Sequence, residues 1–441
     1  MNQLHPATSR RRRAGLQGLG TAVAAGVWLA IGSVAVALPA GEARAQAQAE
    51  KPKPPKLSGP VRKKLQPAQQ AFDKGDFDTA LTLAQEALAL AKEPDDTIIS
   101  LQILRAASAR KNDLAGFAKY SEQLLSMNAL SEDERKKTEE NLARIYFQQK
   151  DYAKSRQYAQ RWVDAGGGAP ALEVLAATFL IENDCKNGIG PYEKSLEGRE
   201  PTEQQLRTLN TCYTQLEDKA KRRATLETLL MRFQKREYFI DLLNSIQDAQ
   251  ADQRAVLNLY RLGLDRNWLW REGDLVEFAG MALDAGSPAE AEKVLEYAQK
   301  NGALSASTNN QSLQRQAKQL AAEDRKTIAA LDKEARAGKN GEADVKVGLA
   351  YLGLGEYQKA ADAIRRGLQA DRVARVRRVD DAWMTLGIAL SRLGNAAEAA
   401  QAFEKAKTDA RMAAAADLWL KVGAAGAAAA PTAAPAPAAA G

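Results

Sequence analysis

The sequence predicts an all-α protein built as an array of helix-turn-helix hairpins, and three observations predict it. Ala, Leu, Gln, Lys, Arg and Glu dominate, all good helix formers, while strand-favouring runs are absent. The chain has 441 residues, more than one compact core usually holds but natural for an array that grows by stacking. Small residues and turns recur at a fixed step: Ser155, Gly188, Arg222 and Ala255 are separated by 33, 34 and 33 residues.

In chain order, residues 1–45 read as a secretory signal peptide. Arg10, Arg11, Arg12 and Arg13 give a basic start, an apolar stretch runs from Gly20 to Leu38, and Ala43-Arg44-Ala45 offers small residues for cleavage after Ala45, with Ala47 as the second choice. The alternative is an uncleaved anchor, with residues 20–38 holding the chain in the inner membrane. No Cys lies near the cleavage site, so a lipid anchor is not supported. Residues 46–60, with Lys51-Pro52-Lys53-Pro54-Pro55-Lys56, read as a Pro/Lys-rich linker.

Removing the leader changes the electrostatics. It carries five Arg and one Glu, so 57 basic and 54 acidic residues remain and the net charge falls from +7 to about +3. A strongly basic nucleic-acid binder is therefore not expected. Cleavage also removes His5, the single histidine, and with it any His-dependent catalysis or His-ligated metal. No Gly-rich phosphate loop, Walker motif or nucleophile elbow is found, and Gly166-Gly167-Gly168 before Ala169-Pro170 reads as an inter-helix loop. No catalytic residue, cofactor or metal is expected.

The hairpin frame is clearest near the C-terminus. Trp383, Leu386, Gly387 and Leu390 form one stripe, Leu393-Gly394-Asn395 ends that helix, and Ala399, Phe403 and Ala406 form the face of the next. The same frame appears at Val347, Gly348, Tyr351, Gly355 and Tyr357; at Leu142, Tyr146, Asp151, Tyr152 and Trp162; at Leu175, Phe179, Asp184 and Gly188; and at Leu209, Tyr213, Asp218 and Leu226. Gly75-Asp76-Phe77 marks a first hairpin and Gly286 a late one.

These units resemble tetratricopeptide repeats. The resemblance covers residues 61–420 and implies a solenoid with a right-handed superhelix of about nine to ten hairpins, some degenerate. Residues 61–302 form the N-terminal and central array, 303–338 a degenerate hairpin or one long helix, and 339–422 a C-terminal pair. Residues 423–441, almost only Ala, Pro and Gly, read as a disordered tail. The order of motifs from Leu209 through Tyr238-Phe239, Leu259-Tyr260 and Gly273-Asp274-Leu275-Val276 is similar to that in periplasmic repeat proteins found with TonB-type energy-transduction systems.

Two cysteines, Cys185 and Cys212, fall in adjacent repeats, so an exported compartment suits a disulfide, against the alternative of two buried thiols. Trp268 and Trp270 beside Arg271-Glu272 read as inter-repeat packing, with a binding hot spot as the alternative. Arg365, Arg366, Arg372, Arg375, Arg377 and Arg378 read as a solvated loop, with an acidic partner or lipid headgroups as the alternative. The Lys/Asn pair that clamps a peptide carboxylate in some repeat proteins is not supplied by the frames starting at Leu172, Arg207 and Trp383. The expected function is a non-enzymatic periplasmic scaffold that holds envelope proteins in a groove lined by first helices, touching the membrane only through its partners or an uncleaved leader. The alternatives are an assembly or structural factor for secretion across the envelope, and an enzyme hidden in the carboxylate-rich region.

Overall fold

The computed structural model describes residues 56–249 and 251–428. The signal segment 1–45, the linker up to residue 55 and the tail beyond 428 lie outside the described residues. Among the described residues are twenty α-helices, one short 3-10 turn and no strand. The chain divides into two compact units, Met1–Asp218 and Lys219–Gly441.

The first unit holds α1 (Gly59–Asp73), α2 (Phe77–Leu90), α3 (Pro94–Arg110), α4 (Leu114–Ser126), α5 (Glu132–Gln148), α6 (Tyr152–Asp164), α7 (Gly168–Leu180), α8 (Cys185–Leu196) and α9 (Glu203–Gln215). Helix α1 starts two residues inside the stretch read as linker, because Pro60 suits the first turn of a helix. Four hairpins, α1/α2 to α7/α8, stack in sequence. The core continues from one to the next: Phe117 of α4, Leu142 and Tyr146 of α5, Trp162 of α6 and Leu175 of α7 belong to one buried cluster.

One turn design closes the hairpins. A residue two or three positions past each first helix is left-handed: Gly75, Asn112, Lys150 and Asn183 have φ of 81°, 56°, 63° and 62°. The next residue, an Asp each time, donates its N–H to the carbonyl five positions back: Asp76 to Ala71, Asp113 to Ser108 and Asp151 to Tyr146 at 2.9 Å, Asp184 to Phe179 at 3.0 Å. Each Asp carboxylate then caps the second helix, accepting the N–H of Thr79, Gly116, Lys154 or Asn187 at 2.9–3.2 Å, a bond that stabilises a helix by about 1 kcal/mol.

The second unit holds α10 (Lys219–Phe233), α11 (Arg236–Asp248), α12 (Gln253–Asp265), α13 (Glu272–Asp284), α14 (Pro288–Lys300), α15 (Thr308–Ala337), α16 (Gly341–Leu354), α17 (Tyr357–Gly367), α18 (Val379–Arg392), α19 (Ala396–Lys407) and α20 (Ala413–Ala428). The left-handed turn returns at Gly286, Gly355 and Gly394, with φ of 78°, 84° and 83°. Residues 308–337 form one 30-residue helix. The segment read as a tail from 423 is helical as far as Ala428. The reason is propensity: Ala is the best helix former, and the first proline of the tail, Pro431, comes only after that point.

Helix α12 is the centre of this unit. Every residue from Ala255 to Gly263 is buried, so the helix presents no solvent face. Tyr260 stacks on Phe278 of α13, with centroids 5.6 Å apart, and the α20 side chain of Trp419 donates its indole N–H to the Asn258 carbonyl at 2.8 Å. Both ends of α12 are clamped by α18 and the residue before it. Arg378 holds the N-cap carboxylate of Asp252 at 3.0 and 3.1 Å, and Arg392 holds Asp265 at the C-terminal end at the same distances.

Candidate protein-binding cleft in the first unit

In the first unit the first helices α1, α3 and α5 border a cleft of about 430 Å³. Helix α3 contributes Arg105, Ala106 and Arg110; α5 contributes Asp133, Glu134, Lys137, Thr138 and Asn141; Phe72 comes from the end of α1 and Phe117 from α4. The spacings of four and eight from Asp133 to Lys137 and Asn141 put the α5 residues on one helix face. That face is fixed by a capping box in which Ser131 and Glu134 satisfy each other's backbone N–H groups. The aromatic walls are apolar and the rim is charged with both signs. Arg105 is half-buried, and burial pulls its guanidinium down while Glu134, 3.9 Å away, opposes that. A cleft of this kind can take an apolar side chain from a partner segment and pair charges on either flank.

The other residues singled out by sequence fall elsewhere. Cys185 opens α8 and Cys212 lies in α9; the structure joins them in a disulfide, with Cα atoms 5.2 Å apart, inside a small buried cluster with Ala176 and Leu180. Burial pushes the neighbouring Tyr192 hydroxyl up to about 12. Trp268 is buried against Phe239, centroids 5.2 Å apart, and Trp270 lies half-buried beneath the Arg236 guanidinium at 4.4 Å.

The basic run is not a solvated loop, and this corrects the sequence reading. Arg366 and Arg372 both reach the fully buried carboxylate of Asp344, at 2.6 and 2.8 Å. Arg375 donates to the Lys339 carbonyl at 3.2 Å, the Arg377 backbone donates to Glu342 at 3.0 Å, and Arg378 binds Asp252 and Asp380. Arg365 pairs with Glu398. Apart from the nearby Asp362 and Asp380, the acids that pair with this run stand 22 to 126 positions away, from Asp344 to Asp252, so charge counting along the chain could not see them.

Sequence reasoning also missed the buried charges around α12. Arg261 forks onto Glu290 of α14 at 2.9 and 2.7 Å and donates to Asn258 at 2.7 Å; Asn258 in turn donates to Asp381 of α18 at 3.1 Å. Burial by itself pushes the Glu290 carboxyl up, but the Arg261 charge and hydrogen bonds outweigh it and hold the group below the usual carboxylate range. Asp381 is the reverse: burial dominates and raises it despite Arg261 and Arg254. The sequence carried no signal for this: Arg254, Asn258, Arg261 and Asp265 are spaced by four, three and four, the stripe of an ordinary solvent-facing side, and only the packing of α14 and α18 against it buries Asn258 and Arg261. Among the described residues, no group of three or more His, Cys, Asp or Glu is placed to hold a metal ion, and no helix is long and apolar enough to cross a membrane.

The repeated turn, the capped second helices and the stacked first helices define an all-α array of tetratricopeptide-type hairpins. A tetratricopeptide repeat family model matches residues 380–408, the α18/α19 hairpin, so the chain carries a tetratricopeptide repeat there. The matched repeat belongs to a family of scaffolds rather than catalysts. No curated protein matches the chain. Among solved structures, a tetratricopeptide repeat protein from Parabacteroides merdae is 12% identical, over 76% of this chain and 100% of that one, with a TM-score of 0.28. Naa15/Naa10 bound to HypK-THB is 17% identical over 82% of this chain and 60% of that one, with a TM-score of 0.36. The hetero-tetramer Cut9-Hcn1 of APC/C is 16% identical over 82% and 55%, with a TM-score of 0.22.

Proposed function

We propose that this chain is an exported, non-catalytic scaffold that holds a segment of an envelope protein in the cleft between α1, α3 and α5. The observation that carries the proposal is the cleft itself: an accessible, aromatic-walled, charge-rimmed groove on consecutive first helices of a rigid repeat array. A receptor built of stacked hairpins is already ordered, so binding costs it little conformational entropy. Export is supported by the basic start, the apolar stretch and Ala43-Arg44-Ala45. The motif order from Leu209 onward further suggests an accessory role beside a TonB-type complex.

The test is site-specific photocrosslinking in intact cells, from Ala106 in the cleft and from Lys119, exposed on the second helix α4, as the control. The expected result is an envelope protein crosslinked from Ala106 only, and lost when Arg105→Glu is added to a chain whose melting is unchanged. Equal crosslinking from both positions, or none from Ala106, overturns the cleft. A captured TonB-system component supports the finer reading, and a secretion component replaces it with the assembly-factor reading. N-terminal sequencing of exported protein is expected to begin at Gln46, and a chain retaining Met1 or Asn2 would contradict cleavage.

A further inference from the structure

The second unit lacks one helix. Its left-handed turns at Gly286 and Gly355 are 69 residues apart, two repeat periods, and two regular repeats would place four helices between them. Only α14, α15 and α16 are there, because residues 308–337 run on as one helix, about 45 Å long, where a hairpin would turn back.

A groove of about 640 Å³ lies where α15 and α16 part, with the Ala285-Gly286 turn at its edge. Ile328, Leu331 and Ala335 line it from α15, and Ala343, Val347 and Ala350 from α16, spaced along one face of each helix. Leu320 and Leu331, on the same flank of α15, are among the few large apolar side chains left exposed, at 40% and 47%. Charge is polarised across the groove, with Asp324 and Glu334 on the α15 wall and Lys346 on the α16 wall. No hydrogen bond or ion pair holds Asp324 among the described residues, and burial raises its carboxyl, with only Arg325 opposing.

We infer that this groove receives one amphipathic α-helix from a partner protein, which takes the place of the absent repeat helix. Its apolar stripe lies on Ile328, Leu331, Val347 and Ala350, and a Lys or Arg on one flank meets Asp324. Two facing helix walls, about three turns of α15 and two of α16, are shaped for a third helix, and an unpaired carboxylate on one wall selects a cation on that side. This inference goes beyond the first-unit cleft and uses none of its residues, though it shares the reading of the chain as a holder of proteins.

The probe is a phage-displayed library of 18-residue amphipathic helical peptides, panned on the full chain after depletion on the Leu331→Glu chain. Surviving peptides are expected to carry apolar residues at i, i+3 or i+4 and i+7, with Lys or Arg on one flank. A synthetic copy of the best is expected to lose about tenfold in affinity for Asp324→Lys, and its own Lys→Glu version to recover it. Asp324→Asn serves if Asp324→Lys melts early. Arg105→Glu is expected to leave this binding unchanged, so failure here and failure of the first-unit cleft are read separately. No survivor after depletion, or survivors indifferent to the charge at 324, overturns the inference. So does a concentration-dependent dimer of the chain that Leu331→Glu dissolves, since a second copy would then be the occupant.

Discussion

The two units use the same hairpin and differ in what they do with its ends. In the first, side-chain bonds such as Lys56–Asp95 and Tyr158–Glu122 link residues 39 and 36 positions apart, as expected when each hairpin touches its neighbours. In the second, α18 and α20 return to α12 and α10, and bonds span 123 to 194 positions, from Asn258–Asp381 to Lys421–Glu227. An array of nearest neighbours opens locally, from its ends; a ring of contacts about one buried helix opens as a unit. The groove between consecutive first helices is thus open in the first unit, whereas the second packs its own chain around α12 and leaves its open groove elsewhere, between α15 and α16.

The sharpest way to break this difference is at Arg261–Glu290. Removing one partner of a buried ion pair costs on the order of 3–5 kcal/mol, because the other charge is left without compensation. Glu290→Ala is expected to raise hydrogen exchange throughout residues 253–422 and leave residues 61–196 unchanged. Exchange confined to α14 would show that the second unit is not cooperative. Acid probes the same pairs. Glu290, Asp252 and Asp332 have folded-state pKa values held below the unfolded ones by arginines, against burial that raises them. Their contribution is present above the unfolded carboxylate range, about pH 4, and is lost as pH falls through the folded values. Asp381 is raised and offsets part of that loss as it protonates. Unfolding at pH 3 is therefore expected to begin in the second unit, which exchange by segment would detect.

In the first unit the corresponding largest effect is covalent. The Cys185–Cys212 bond closes a 27-residue separation between α8 and α9, and in the chain-entropy picture such a closure stabilises by roughly 3 kcal/mol. Cys185→Ser is expected to lower the melting temperature and to raise exchange in α7–α9 only. Free thiols in exported, unreduced protein would remove the bond, and an unchanged melting temperature would show that hairpin packing alone holds this region.

Gly387→Leu is a smaller test of cooperativity. A side chain at Gly387 would overlap the Phe403 ring, and overpacking typically costs about 1–3 kcal/mol. Because Phe403 packs on Trp419, centroids 5.3 Å apart, and Trp419 bonds to α12, exchange is expected to rise at α12 as well as in α18–α20. A rise limited to α18 and α19 would make this hairpin an independent repeat.

Legibility followed the range of the interaction. Gly394-Asn395, Gly387 and Phe403 could be placed from spacing because a hairpin is a local object, and its turn and packing residues stand within about twenty positions of each other. The same holds for Gly75-Asp76 and for the 33- and 34-residue steps. The closure on α12 could not be placed that way, since Asp381 and Trp419 meet Asn258 from more than a hundred residues away. Arg366 and Arg372 were misjudged at shorter range: Asp344 stands 22 and 28 positions back on the first helix of the hairpin, and only the packing of α16 on α17 shows that it faces them. The first-unit cleft was legible only as a general property of first helices, because which of Arg105, Arg110 and Lys137 border it depends on how α3 and α5 diverge.

The smallest expected effect tests whether the shared turn is equally good in both units. Both units mix residues at the left-handed position, with Gly75 and Asn112 in the first and Gly286, Gly355, Gly394 and Asn267 in the second, but the first also places Lys150 there, at φ 63°. A non-glycine residue in that region carries a steric cost of roughly 1–2 kcal/mol. Glycine removes that cost but gives back part of it, because it adds entropy to the unfolded chain. The net expectation for Lys150→Gly is a stabilisation of about 0.5–1 kcal/mol, read as a higher denaturation midpoint with unchanged slope. The hydrogen bonds from Lys150 to the Phe147 carbonyl and from Asp151 to the Tyr146 carbonyl use only backbone and are retained. Asn112→Gly is the control, since Asn tolerates the left-handed region and should gain little. The reverse change, Gly355→Lys, is expected to destabilise, because φ is 84° and an added side chain would crowd the Lys293 ammonium. If Lys150→Gly lowered the midpoint instead, the Lys150 side chain would have to make a stabilising contact larger than its backbone strain, and the turn would not be the interchangeable part that both units share.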